Sequence, residues 1–125
     1  MKFNAAVPPR EFSVGSAGIT LKDCGQLALE ADEQVTLVTP YGAEYDVARK
    51  SWGFYATPSV NGRLRRFGWK TALVRGADGR AYVMLVEEAC ESMFREYLGA
   101  EKHRLLCWLD DDAVLERIEH GMSAG

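Results

Sequence analysis

Residues 69–86 read WKTALVRGADGRAYVMLV. Trp69 to Val74 and Ala81 to Val86 are dense in apolar and β-branched residues and flank Ala77-Asp78-Gly79, so the stretch predicts an antiparallel hairpin. The second arm is apolar at nearly every position, which predicts burial on both faces and a central place in its sheet. Directly after it the apolar spacing lengthens to the helical period. Cys90, Met93, Phe94, Tyr97 and Leu98 form one helical stripe, with Gly99 as its expected stop. His103 to Leu109 returns to a strand pattern. Asp110 is then the expected cap of a final helix whose first turn holds Asp111 and Asp112, where carboxylates complement the exposed N–H groups. Val114, Leu115 and Ile118 give that helix an inner face, and Gly121 its end.

Outward from the hairpin toward the N-terminus, the apolar pairs Ile19/Leu21, Leu27/Leu29 and Val35/Leu37 alternate with polar neighbours. Asp23-Cys24-Gly25 and Glu30 to Glu33 separate them, which predicts short antiparallel strands with one wet face. Glu44 to Lys50 reads as the next strand, with Tyr45 and Val47 on one face. Residues 1–14, which contain Pro8-Pro9, read as an extended arm that packs Phe3, Phe12 and Val14 onto the body. The expectation is a single domain over 1–125: arm 1–14, antiparallel β region 15–86, helix-strand-helix 87–121 and a frayed tail 122–125. The fold class is α+β, mainly antiparallel β in a curved sheet, small barrel or sandwich of about six or seven strands, with two C-terminal helices.

A chain of 125 residues that is 47% hydrophobic and 26% charged can bury a core and is not a disordered polymer. Cys24, Cys90 and Cys107 are odd in number and widely spaced, so they predict neither a disulfide framework nor a metal knuckle. With no apolar leader segment at the start and no run long enough to cross a bilayer, the expected location is the cytoplasm and no membrane partner is expected. With two distant histidines and no ligand motif, no metal or cofactor is expected.

The functional signal lies in residues 49–70, RKSWGFYATPSVNGRLRRFGWK. Between Arg49 and Arg80 there are eight cations and one anion, whereas the remainder carries seven cations and seventeen anions, leaving the whole at −3. A basic, ring-bearing window in an acidic protein favours a small anionic ligand over a long polyanion. Arginine recognises carboxylate and phosphate with two prongs, and adjacent rings stack on bases or sugars. Arg49, Trp52, Tyr55, Asn61, Arg63 and Arg66 are therefore the candidate binding residues for a phosphorylated or sugar-nucleotide-like molecule. Arg63 and Arg66 would clamp the anion, Trp52 or Tyr55 would stack, and Asn61 would orient. If residues 63–66 are extended, Arg63 and Arg65 share one face and Arg66 the other.

Two other readings use the same region. The patch also suits protein–protein interaction, by docking an acidic partner or by homo-oligomerisation, because Trp, Tyr and Arg dominate interfaces. A metal-independent enzyme would use Glu44 or Asp46 with Tyr55, although those carboxylates also suit surface pairing with Arg49 and Arg65. Single-stranded nucleic acid is disfavoured by the acidic remainder and the lack of an RNP or GXXG signature. Cys90 at a helix start reads as core, and His103 and Cys107, four apart on a strand, lie too far apart to act as a pair.

Overall fold

A computed structural model of the protein describes residues 1–124. Its fold is α+β, built mostly of antiparallel strands and ending in two longer helices. Eight strands form three small sheets, ordered β1-β2, β3-β4-β5 and β7-β6-β8, and among the described residues none closes into a barrel. The chain divides into two compact units, Met1–Leu37 with Tyr45–Thr57, and Val38–Glu44 with the chain from Pro58 onward.

In the first unit, β1 (Lys2–Val14) and β2 (Ile19–Ala28) make a long two-stranded ribbon. Residues 1–14 are thus a paired strand, and the Asp23-Cys24-Gly25 segment, expected to be a turn, lies inside β2. The turn chemistry of that segment is absorbed by a register shift between Ala5 and Arg10 on the opposite strand. Strands β3 (Gln34–Val38), β4 (Glu44–Lys50) and β5 (Gly53–Ala56) form the second sheet. Backbone bonds from Asp32 N–H to Arg49 C=O and from Arg49 N–H to Glu33 C=O tie the start of β3 to β4.

In the second unit the expected hairpin is present as β6 (Trp69–Arg75) and β7 (Ala81–Glu87), paired from Trp69↔Glu87 to Arg75↔Ala81. Its order in the sheet differs from expectation. β6 is central, with Ala72 and Val74 fully buried, while β7 is an edge strand on which Val83 is 65% exposed. The place of the centre is set by β8 (Arg104–Trp108), which pairs with the free side of β6 across a bulge opposite Leu73 and Val74.

Helix α2 (Glu91–Glu101) follows a 3-10 turn at Glu88–Cys90, and Leu98, Phe94 and Tyr97 close over Ala72 and Val74 as the stripe predicts. Met93 departs from that stripe and is exposed. The helix passes through Gly99 and stops at Lys102, whose left-handed backbone lets His103 N–H reach Leu98 C=O at 2.8 Å. At α3 (Asp112–Ala124) the cap is Asp111, whose carboxylate accepts from Ala113 N–H at 2.9 Å. Asp110, expected in that role, is buried and accepts from Thr71 N–H instead. The helix continues past Gly121 to Ala124; Gly125, at the end of the expected frayed tail, lies outside the described residues.

Candidate functional site

The candidate residues of 49–70 fall into both units. Arg49, Trp52 and Tyr55 belong to the β4–β5 hairpin of the first. Arg49 is opposite Phe54 and Ala48 is opposite Tyr55. Directly opposed residues share a face and neighbours along a strand do not, so Arg49 and Tyr55 project to opposite sides of the hairpin. Trp52, in the turn, is 71% exposed, and its ring centroid lies 5.9 Å from that of Tyr55. The hairpin therefore assembles a ring pair without the arginine.

In the second unit, Asn61 donates to the Asp112 carboxylate at 2.8 Å, which ties it to the start of α3. Arg63 and Arg66 lie on α1 (Arg63–Arg66), one helical turn and not an extended segment. Two local causes make the turn: Leu64 and Gly62 N–H both bond Ser59 C=O, and Leu64 is almost wholly buried. Residues three apart on a helix are neighbours, so Arg63 and Arg66 lie side by side while Arg65 reaches toward the Asp110 carbonyl at 3.5 Å.

Part of the positive window is matched inside the fold. Lys50 Nζ lies 2.5 Å from Asp32, and this hydrogen bond raises the lysine's pKa. Lys70 Nζ lies 2.5 Å from Glu91 and 4.0 Å from the centroid of Trp108, and its hydrogen bond is the main cause holding the Glu91 carboxyl below its ordinary range. Arg80 pairs with Asp78. The acidic remainder of the chain supplies most of these partners. Of the acid–base pair, Asp46 is buried with its carboxylate accepting from Thr36 Oγ1 at 2.6 Å, and the Glu44 carbonyl accepts from the Trp69 indole at 2.9 Å.

The strongest unsatisfied surface lies elsewhere, on the β1–β2 ribbon. The register sets Phe3 opposite Leu27, Arg10 opposite Asp23, Phe12 opposite Leu21 and Val14 opposite Ile19, and the last three pairs alternate regularly along both strands and so share one face. Arg10 and Asp23 pair at 3.1 Å, and the guanidinium lies 5.2 Å from the Phe12 centroid. The six apolar side chains are 37–57% exposed, so Phe3, Phe12 and Val14 are not packed onto a body as expected. The alternate positions are polar in both parts of the ladder: Glu11, Ser13, Thr20 and Lys22 beside the Phe12 pairs, and Lys2, Asn4 and Gln26 beside Phe3 and Leu27.

No protein-family model, curated protein or solved structure matches this chain. Of the ribbon only the alternation of Ile19-Thr20-Leu21 was read from the sequence; the same alternation in Phe12-Ser13-Val14 is the signal that an arm reading of 1–14 passes over. Alternation announces a two-sided strand; it does not say what covers the apolar side. Among the described residues no group of His, Cys, Asp and Glu side chains is placed to hold a metal, and no helix is long and apolar enough to cross a membrane.

Proposed function

We propose that this protein is a self-associating interaction module, and that two copies stack through the apolar faces of their β1–β2 ribbons. The observation that carries the reading is the amphipathic ribbon with Phe3/Leu27, Phe12/Leu21 and Val14/Ile19 exposed around one ion pair. A two-stranded ribbon is marginal by itself and needs its apolar face covered. The face is also complementary to itself. A two-fold axis parallel to the strands sets each β1 residue over its own cross-strand partner in the other copy, so Arg10 meets Asp23 and Phe12 meets Leu21. Among the described residues the three cysteines are free, which supports a reducing compartment such as the cytoplasm.

The test is sedimentation velocity over a dilution series with single charge reversals. Arg10→Asp puts carboxylates on both strands of one chain, and Asp23→Arg puts cations on both. Each variant alone is expected to be monomeric, whereas an equimolar mixture forms a heterodimer. A wild-type protein that stays monomeric at every concentration, or variants that dimerise alone as well as the wild type does, would overturn the reading.

A small anionic ligand at 49–70 is our second reading, supported by the exposed Trp52–Tyr55 ring pair. A thermal-shift screen of nucleotides, sugar nucleotides and sugar phosphates tests it, since a ligand that binds only the folded state raises the melting point. A shift lost in Trp52→Ala supports the site; no shift with any compound removes it.

A further inference from the structure

The second unit contains an open cavity of about 760 Å³ whose walls include Tyr41, Phe67, Met93 and the turn Glu87 to Cys90. An adjoining hollow of about 400 Å³ shares Glu87, Cys90 and Met93 with it and extends the apolar wall to Phe94 and Tyr97. Each of the two hollows of this groove is in the size range of small-molecule sites. Its walls are rings and aliphatic surface, and its charges are all of one sign.

Glu87 sits where β7 ends, opposite Trp69, and its half-buried carboxylate is held by neutral groups only. One oxygen accepts from Thr39 Oγ1, and the other lies 3.7 Å from Cys90 Sγ. Glu88 is fixed by its backbone N–H to the Gly68 carbonyl at 2.8 Å. Among the described residues neither Glu87 nor Glu88 forms an ion pair, and the cations of the same unit that do pair with carboxylates are engaged elsewhere: Lys70 and Arg95 on Glu91, Arg80 on Asp78. A half-buried carboxylate oriented by a hydroxyl, carrying its charge beside aromatic rings, is complementary to a cation: the carboxylate takes its hydrogen bonds and the rings attract its charge.

We propose that this groove binds a small organic ammonium with an aromatic or aliphatic body, the ammonium on Glu87 and Glu88 and the body against Phe67, Tyr41 and Met93. A simple metal ion would leave those apolar walls without an occupant, and an anion would meet the Glu87 carboxylate, which among the described residues pairs with no cation; Glu88 also borders a hollow that holds Arg65 and Lys70. The site shares no residue with the ribbon, and its ligand is opposite in charge to the one that residues 49–70 would take.

The test is calorimetric and NMR titration of the full chain with three matched probes: phenethylammonium, phenethyl alcohol and 3-phenylpropionate. The ammonium is expected to bind about tenfold or more tightly than the alcohol, as a charge-assisted hydrogen bond warrants, with no binding by the carboxylate. Glu87→Gln is expected to lower ammonium affinity about tenfold or more, and Phe67→Ala to weaken the ammonium and the alcohol together. Should Glu87→Gln fail to fold, Glu88→Gln and the resonance shifts of Phe67 and Tyr41 in the wild type carry the same decision. Equal binding of ammonium and alcohol, binding of the carboxylate, no binding of the ammonium, or shifts confined to residues outside the groove would overturn the proposal.

Discussion

The carboxylate of Asp110 accepts a hydrogen bond from the backbone N–H of Thr71 at 2.8 Å, and both residues are buried. The neighbouring Leu109 N–H donates to Thr71 C=O at 2.7 Å, so the two bonds join the end of β8 to the central strand β6. Asp110→Ala leaves a buried N–H without a partner and is expected to destabilise the second unit by about 1–3 kcal/mol. Asp110→Asn keeps an acceptor oxygen and is expected to cost less. Urea melts of the two variants against wild type check the order.

Gly25 has φ +141, and a Cβ there would lie 2.2 Å from the Asn4 carbonyl oxygen. That contact is with backbone, which cannot swing aside. Gly25→Ala is expected to open the β1–β2 ladder around Ala5, its register partner. Amide exchange should speed up across Lys2 to Ala28, with β6 as the reference, and dimer formation should fall with it. Unchanged exchange in the ribbon would refute the prediction.

Lys102 caps α2 with a left-handed backbone at φ 56, a conformation that costs a side-chain-bearing residue about 1 kcal/mol or slightly more. Lys102→Gly removes that cost at an exposed position and is expected to stabilise the fold by roughly 1 kcal/mol, offset in part by the greater freedom of glycine in the unfolded chain. Chemical denaturation at neutral pH decides it; a loss of stability would contradict the capping role.

Glu91 has its pKa lowered in the fold, chiefly by the hydrogen bond from Lys70. A depressed carboxyl contributes stability that is fully present above the unfolded-state value, about pH 4.3, and is lost as pH falls through the lower folded-state value. The wild type should therefore lose stability more steeply on acidification through that window than Glu91→Gln does. Melting temperatures from pH 6 downward test this, and parallel acid limbs for the two proteins would exclude it.

Elements with dense local periodicity were legible without any tertiary knowledge. The β6–β7 hairpin, the α2 stripe through Phe94, Tyr97 and Leu98, and the acidic start of α3 lie where their residue spacing puts them. The cap exchange between Asp110 and Asp111 was not legible, because adjacent aspartates offer the same local chemistry and only the approach of Thr71 separates them. Nor was α1, where one buried leucine and the Ser59 carbonyl outweigh a pattern that reads equally well as strand.

The candidate site was least legible, for an electrostatic reason. A run of cations in sequence implies an anion site only while their charges stay unmatched, and Lys50, Lys70 and Arg80 each meet a carboxylate in the fold, two of them from distant segments. The sequence by itself determined the α+β class, the β6–β7 hairpin, helices α2 and α3 and the alternation of Ile19 and Leu21, while β1 read only as an arm. Tertiary structure alone decided that β6 and not β7 is central, that Phe12 and Leu21 stay exposed as a pair, and that Glu87 meets no cation among the described residues. Periodicity is a property of neighbours along the chain; burial and charge compensation depend on which distant segments arrive to cover a face.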